Sequence, residues 1–235
     1  MSDILSTTLS ITGGFWLSLT LIAYAAALVV NKYCKGHPLA HPLITTSAII
    51  SLALLVSQVS VANYQTAASF LHWLLGPATV ALALPIYRQW HVLKHYGWRL
   101  LLSIVIGGVI APITAWLGLW VSSASTALQM SMLVKSITTP LAMETASQIN
   151  GIPALAAVFV IMTGIAGAIM STWVFQLCKV NDTQAQGIAL GTVAHAVGTA
   201  KALQLGDDVA AMATLGLCVN GIVTAIVLPV FFIGA

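Results

Sequence analysis

Read from the N-terminus, the chain alternates long apolar runs with short polar interruptions. Residues 11–30, 43–62, 100–121, 152–178 and 209–235 are apolar almost throughout, and each is close to the ~20 residues that carry a helix across a bilayer core. Residues 70–87 are shorter and contain Pro77 and Pro85, but share the apolar character. The strict alternation of a membrane β-strand is absent. The pattern predicts an all-α polytopic membrane protein, forming one integral membrane domain over residues 1–235.

Two stretches break the pattern. One reads Lys135-Ser136-Ile137-Thr138-Thr139-Pro140-Leu141-Ala142-Met143-Glu144, the other Gly191-Thr192-Val193-Ala194-His195-Ala196-Val197-Gly198-Thr199-Ala200-Lys201. An ionised side chain at the bilayer centre costs roughly 2.5–3.5 kcal/mol even on insertion scales, so a chain that keeps several is expected to use them. If both segments dip in and return, six spans remain; if both cross, there are eight.

Composition supports the membrane assignment. Of 235 residues, 59% are hydrophobic and 6% charged, with a mean hydropathy of +1.00, whereas a soluble domain is nearer a quarter charged. The first apolar run lacks a basic leader and a small-residue cleavage site, so it reads as a retained span. Cys34, Cys178 and Cys218 are odd in number and widely spaced, which gives no disulfide framework. No metal-ligand pattern, nucleophile elbow or phosphate loop is present, and neither enzyme activity nor a cofactor is expected. The net charge of +3 lies at helix ends rather than in a stripe, so nucleic acid is not an expected partner.

Lys32 and Lys35, then Arg88, Lys94 and Arg99, then Lys179 account for six of the eight basic residues. The positive-inside rule places the first two of these connections in the cytoplasm and both termini outside, and favours the version in which the polar segments return to the side they entered from, with Lys179 cytoplasmic; if both segments cross, Lys179 is external. Leu75-Gly76 and Leu190-Gly191 each precede an apolar helix with a late proline, Pro112 and Pro229. That echo is compatible with inverted repeats over residues 1–121 and 122–235, the arrangement in which Gly- or Pro-interrupted segments (here Gly76, Pro77, Pro85, Gly191 and Gly198) mark a transport site.

The chemistry of the first segment suits a small carboxylate. Pro140 removes a backbone donor and disfavours helix at Thr139, and the freed groups must face protein or water. Ser136, Thr138 and Thr139 add hydroxyls, Lys135 adds a charge, and a half-helix N-terminus adds partial positive charge. Glu144 is a candidate counter-charge or proton carrier. In the second segment Gly187, Gly191, Ala194 and Gly198 recur at spacings that permit close helix packing. Thr192 and Thr199 are candidate ligands, His195 a candidate carboxylate donor or proton relay, and Lys201 a candidate charge partner. The competing readings are back-bonded hydroxyls, snorkelling charges and a packing histidine. Gln58, Asn63, Asn150 and Asn220 read as cap or packing residues.

The run Leu75-Gly76-Pro77-Ala78-Thr79-Val80-Ala81-Leu82-Ala83-Leu84-Pro85-Ile86-Tyr87, the motif from Lys135 to Met143, Gly151-Ile152-Pro153-Ala154, and the motif from Gly191 to Lys201 together resemble the LrgB/CidB family along essentially the whole chain. The resemblance implies a bacterial inner-membrane protein encoded beside a small LrgA/CidA-type partner and described as an antiholin-like or holin-like modulator of murein hydrolase activity and lysis. It also implies a likeness to the plastid glycolate/glycerate translocator and a link to pyruvate. Two departures stand out: Ala194 where the family has serine before the histidine, and Val134 where it often has proline before the lysine. The expected function is a carrier, with a proton as candidate coupling ion, for small 2-hydroxy or 2-oxo monocarboxylates; the alternative is a holin/antiholin-like modulator. A homodimer through the first spans is expected by analogy with such carriers.

Overall fold

The computed structural model describes residues 10–34, 40–81 and 83–232. The chain termini, on which the expected outside orientation rests, and the connection holding Lys35 and His37 lie outside the described residues. The chain forms two compact units, Met1–Ala78 and Thr79–Ala235.

In the first unit, α1 (Ile11–Tyr33) starts on Ser10, whose Oγ accepts from Gly13 N at 3.0 Å and so satisfies one of the helix's orphan donors. Pro42 opens α2 (Pro42–Ser57), which ends where Gln58 turns left-handed at φ 53°. The chain then bends by 114° into α3 (Val61–Ala67), capped by Ser60, and α4 (Ser69–Trp73) follows. Trp16, Ala23, Ile50, Leu54 and Ala67 form this unit's core. Tyr64 packs edge-on against Trp16 with ring centroids 5.6 Å apart, and its hydroxyl lies 3.0 Å from Thr20 Oγ1. Outward-facing Phe15, Ile22, Leu52 and Leu55 remain exposed. A bilayer imposes no penalty on such surface, so packing and hydrogen bonding hold the helices together.

Helix α5 (Leu75–Ala81) crosses the unit boundary, and α6 (Ala83–Arg88) follows it; Leu82 between them lies outside the described residues. In place of the single span expected over residues 70–87, the described residues show short helices, none of which reaches the bilayer's thickness alone. The second unit continues with α7 (Trp90–Val121), interrupted at Gly97 (φ 53°, ψ −134°), α8 (Thr126–Leu133), α9 (Thr139–Gln148), α10 (Pro153–Leu177), α11 (Thr183–Leu205) and α12 (Asp207–Phe232). Pro112 and Pro229 lie buried inside α7 and α12. Asp182 caps α11 through its bond from Gln184 N at 2.9 Å, and Asp207 and Asp208 place negative charge on the first turn of α12, where it complements the helix dipole.

Among the described residues, α1, α7, α10 and α12 are long and apolar enough to span a membrane, and the bent pair α2–α3 brings the number to five. These residues therefore do not confirm the expected count of six to eight spans. The two polar segments supply none of the candidate spans.

Candidate functional site

The second polar segment is broken at one residue. Within α11, His195 has φ 42° and ψ −129°, a region that costs a residue other than glycine about 1–3 kcal/mol. The chain turns back on itself there. Leu190 and Gly198 would lie about 12 Å apart in a continuous helix, yet a Cβ on Gly198 would come within 2.2 Å of Leu190 O. Leu190 and Ala202 also share one packed cluster.

The glycines make this fold-back and its docking sterically feasible. A Cβ on Gly187 would approach Val209 O to 2.4 Å, and one on Gly191 would approach Ala213 O to 1.9 Å, so the first half of α11 lies backbone against backbone on α12. A Cβ on Gly167 in α10 would meet Ala194 Cβ at 2.6 Å. Gly191 and Gly198 are thus helical packing positions, and the break falls between them.

His195 itself is buried. Its Nε2 lies 2.8 Å from Val160 O. A carbonyl can only accept, so Nε2 carries the hydrogen. The ring lies on Gly164, where a Cβ would approach its Cε1 to 2.7 Å. Gly164 has eleven residues of α10 before it and thirteen after, which puts the imidazole near the middle of that helix. Thr199 Oγ1 caps His195 O at 2.9 Å.

The first polar segment is broken over several residues. Helix α8 stops at Leu133, and α9 starts at Thr139 with Thr138 as N-cap and Pro140 in its first turn, where a missing N–H costs nothing. The segment closes on itself: Ile152 N donates to Ser131 Oγ at 2.7 Å, and Ser131 N lies 3.1 Å from where a Cβ on Gly151 would stand. Twenty-one residues after Ser131 the chain is back where it was. Val134, Ile137, Ala142, Ala146 and Ile149 pack with Ala156 and Val160 of α10 into the core of this loop.

Asn220 ties the two breaks together. It is buried in α12, with thirteen residues of that helix before it and twelve after, so it lies about 20 Å from either end. Its Nδ2 donates to Ser136 O at 3.0 Å and to Thr192 O at 3.0 Å. A broken helix leaves carbonyls without intrahelical partners at and around the break, and one amide nitrogen with two hydrogens serves one from each segment. Thr224 Oγ1 reaches Asn220 Oδ1 at 3.4 Å, and Gly108 of α7 leaves room for that oxygen, which a Cβ there would meet at 2.0 Å.

The sequence reading, which set Asn220 with the cap residues, missed this clamp. Gln58, Asn63 and Asn150 do lie at helix ends. A lone amide at the centre of an otherwise apolar span was the available signal.

The remaining candidates divide into two groups. Ser136, Thr138, Thr192 and His195 are buried, and Thr138 Oγ1 and Thr192 Oγ1 are enclosed without a hydrogen-bond partner. Thr139 and Pro140 are half-buried. Lys135, also half-buried, brings its Nζ within 3.5 Å of Ser136 Oγ, and it shares a cavity of about 430 Å³ with Leu190, Val193 and Ala194 of the second segment. Glu144 and Lys201 are not part of this group. Glu144 is exposed and accepts from Gln148 Nε2 at 3.0 Å, and Lys201 Nζ donates to Gln204 Oε1 at 3.3 Å. Gly76 and Pro77 lie in α5, and Pro85 in α6.

Long apolar helices with two interrupted segments joined at mid-span define a multi-pass helical membrane protein. Residues 20–233 match the model of the LrgB-like family. The chain is 33% identical over 227 residues to the antiholin-like protein LrgB of Bacillus mycoides (strain KBAB4), and equally to those of Bacillus cereus (strain B4264) and Bacillus anthracis (strain CDC 684 / NRRL 3495). Each alignment covers 96% of this chain and 99% of the relative. The chain belongs to the LrgB-like family. No solved structure matches it.

Proposed function

We propose that this chain is an antiholin-like membrane protein of the bacterial inner membrane that modulates murein hydrolase activity and lysis with an LrgA/CidA-type partner. The observation that carries this reading is its likeness, along nearly its full length, to relatives named antiholin-like. Its test is deletion in the source bacterium, with autolysis rate and cell-wall hydrolase activity as readouts. The expected result is a changed autolysis rate that the intact gene restores only when the partner is present. Unchanged autolysis in the deletion strain sinks the reading. Impermeant thiol labelling of the exposed Cys178 in whole cells tests the proposed topology, in which both polar segments are re-entrant and the neighbouring Lys179 is cytoplasmic; labelling overturns it in favour of two crossing segments.

A second reading, a carrier of small monocarboxylates, is supported by one feature of the geometry. Two broken segments converge on Asn220 at mid-span, with Lys135 beside them and the Thr138 and Thr192 hydroxyls unpartnered. Interrupted helices meeting near a bilayer midplane are the usual setting of a carrier's substrate site. Lysis modulation then follows from metabolite or proton flux. The test is uptake of labelled glycolate, glycerate and pyruvate into proteoliposomes. Lys135→Ala is expected to lower uptake by at least about tenfold, the loss that goes with one charge-assisted hydrogen bond. Saturable uptake undiminished in both Lys135→Ala and His195→Ala sinks the site assignment, and absence of any saturable uptake sinks the carrier.

A further inference from the structure

The cavity above Lys135 is shaped for a ligand unlike the smallest hydroxy acids. It runs as an open groove along α10 from Thr163 past Met170 to Phe175, twelve residues or about 18 Å of helix, and is flanked by Leu190 and Val193 of α11. Its volume of about 430 Å³ falls in the range, about 300–1,000 Å³, of pockets that enclose ligands of drug size. Its lining includes one cation, Lys135, and the hydroxyl of Thr163. Ser171, the other hydroxyl, is already committed to Ala168 O at 3.1 Å. The rest of the wall is hydrocarbon, thioether and aromatic ring.

The geometry points to a site for a monocarboxylate with an apolar tail, bound head-first with its carboxylate on Lys135 Nζ and its tail along α10 towards Phe175. A polyhydroxylated acid leaves its hydroxyls unpaired against Met170, Val193 and Phe175, a loss of binding for each. A methylene tail gains burial in the same place. Depth separates two sources of such an amphipathic anion. Lys135 adjoins Ser136, whose carbonyl is held by Asn220 in the middle of α12. A phospholipid head would have to leave the interface by roughly half of the ~30 Å hydrocarbon core to reach it. A free carboxylic acid of medium chain length needs no such displacement, because it can enter as a whole molecule.

For its biological meaning the proposal rests on the carrier reading, but its test reads binding and not transport. The experiment is equilibrium binding of radiolabelled octanoate to the full chain in phosphatidylcholine nanodiscs, with unlabelled octanoate, glycolate and octanol as competitors. The expected result is saturable binding that octanoate displaces at a concentration at least about tenfold below glycolate, with octanol ineffective. Lys135→Gln weakens it at least about tenfold, the equivalent of one charge-assisted contact, and Lys135→Arg restores part of it. Ala166→Phe, at an exposed position lining the cavity, weakens octanoate while sparing glycolate. This second variant keeps the proposal testable if Lys135→Gln fails to fold.

Binding in which glycolate equals octanoate overturns the proposal, as does octanoate binding unmoved by both Lys135→Gln and Ala166→Phe. Loss of octanoate binding in discs that contain phosphatidylglycerol also overturns it, in favour of a lipid occupant. Octanoate binding without uptake of any acid leaves the site standing and removes the carrier.

Discussion

The two interrupted segments reach the same helix by different means. The first, around Lys135–Pro140, is opened by several non-helical residues and re-initiated by Thr138 and Pro140 at the start of α9. The second is opened at His195 alone, with helix on either side. The first break is written into local propensities, since proline favours a first turn and Ser and Thr favour caps. The second runs against them, since histidine carries a positive φ between Ala194 and Ala196 while Gly191 and Gly198 stay helical. A strained break persists only where its surroundings over-determine it, and here Gly187, Gly191 and Gly198 supply that by close backbone packing. One segment is broken by its own sequence and the other by its neighbours.

That contrast can be tested by substitution, beginning with the largest effect. Gly191→Val should do most damage: the new Cβ meets Ala213 backbone, which cannot rotate away, and overpacking of this kind costs about 1–3 kcal/mol or more. Loss of the monodisperse peak in fluorescence-detected size exclusion is the expected readout. A folded Gly191→Val protein of unchanged thermal stability removes the packing account of the second break.

Asn220→Ala comes next, because it orphans one carbonyl from each segment at about 1–3 kcal/mol apiece. Thermal unfolding should shift down. Cysteines placed one at a time at Ser136 and Thr192 should both become more reactive to a small maleimide; reactivity gained at only one of them shows that the clamp does not couple the breaks.

Ser131→Ala removes the bond that closes the first segment on Ile152 and should cost roughly 1 kcal/mol, read as a smaller drop in unfolding temperature. A comparison at His195, of similar size, is sharper. At His195, glycine accepts the observed φ and alanine does not, so His195→Gly should be more stable than His195→Ala by about 1 kcal/mol. Pro140→Ala keeps the first turn of α9 and should change stability by less than that. If the order at His195 is reversed, the strain assigned to the second break is wrong.

Much of this was legible in the residues. The apolar runs gave α1, α7, α10 and α12 to within a few residues, apart from the Trp90–Tyr96 stretch before the Gly97 interruption. The polar stretches located both breaks. Lys135, Ser136, Thr138, Thr192 and His195 were singled out, and the structure places them at or beside those breaks. The division of residues 70–87 into short helices and the role of Asn220 were not legible. An amide in a hydrophobic helix has the same sequence context whether it packs or clamps, and only the position of its acceptors, 84 and 28 residues away, separates the two.

The sequence by itself determined that this chain resides in a membrane and which two segments interrupt its apolar pattern. Both follow from transfer free energies, which are summed residue by residue and need no partner. Tertiary structure decided where α11 breaks, which carbonyls that break exposes, and that one amide at mid-span answers both segments. Those outcomes depend on hydrogen bonds and backbone contacts between residues distant in the chain, and in a bilayer without water such groups must find one another.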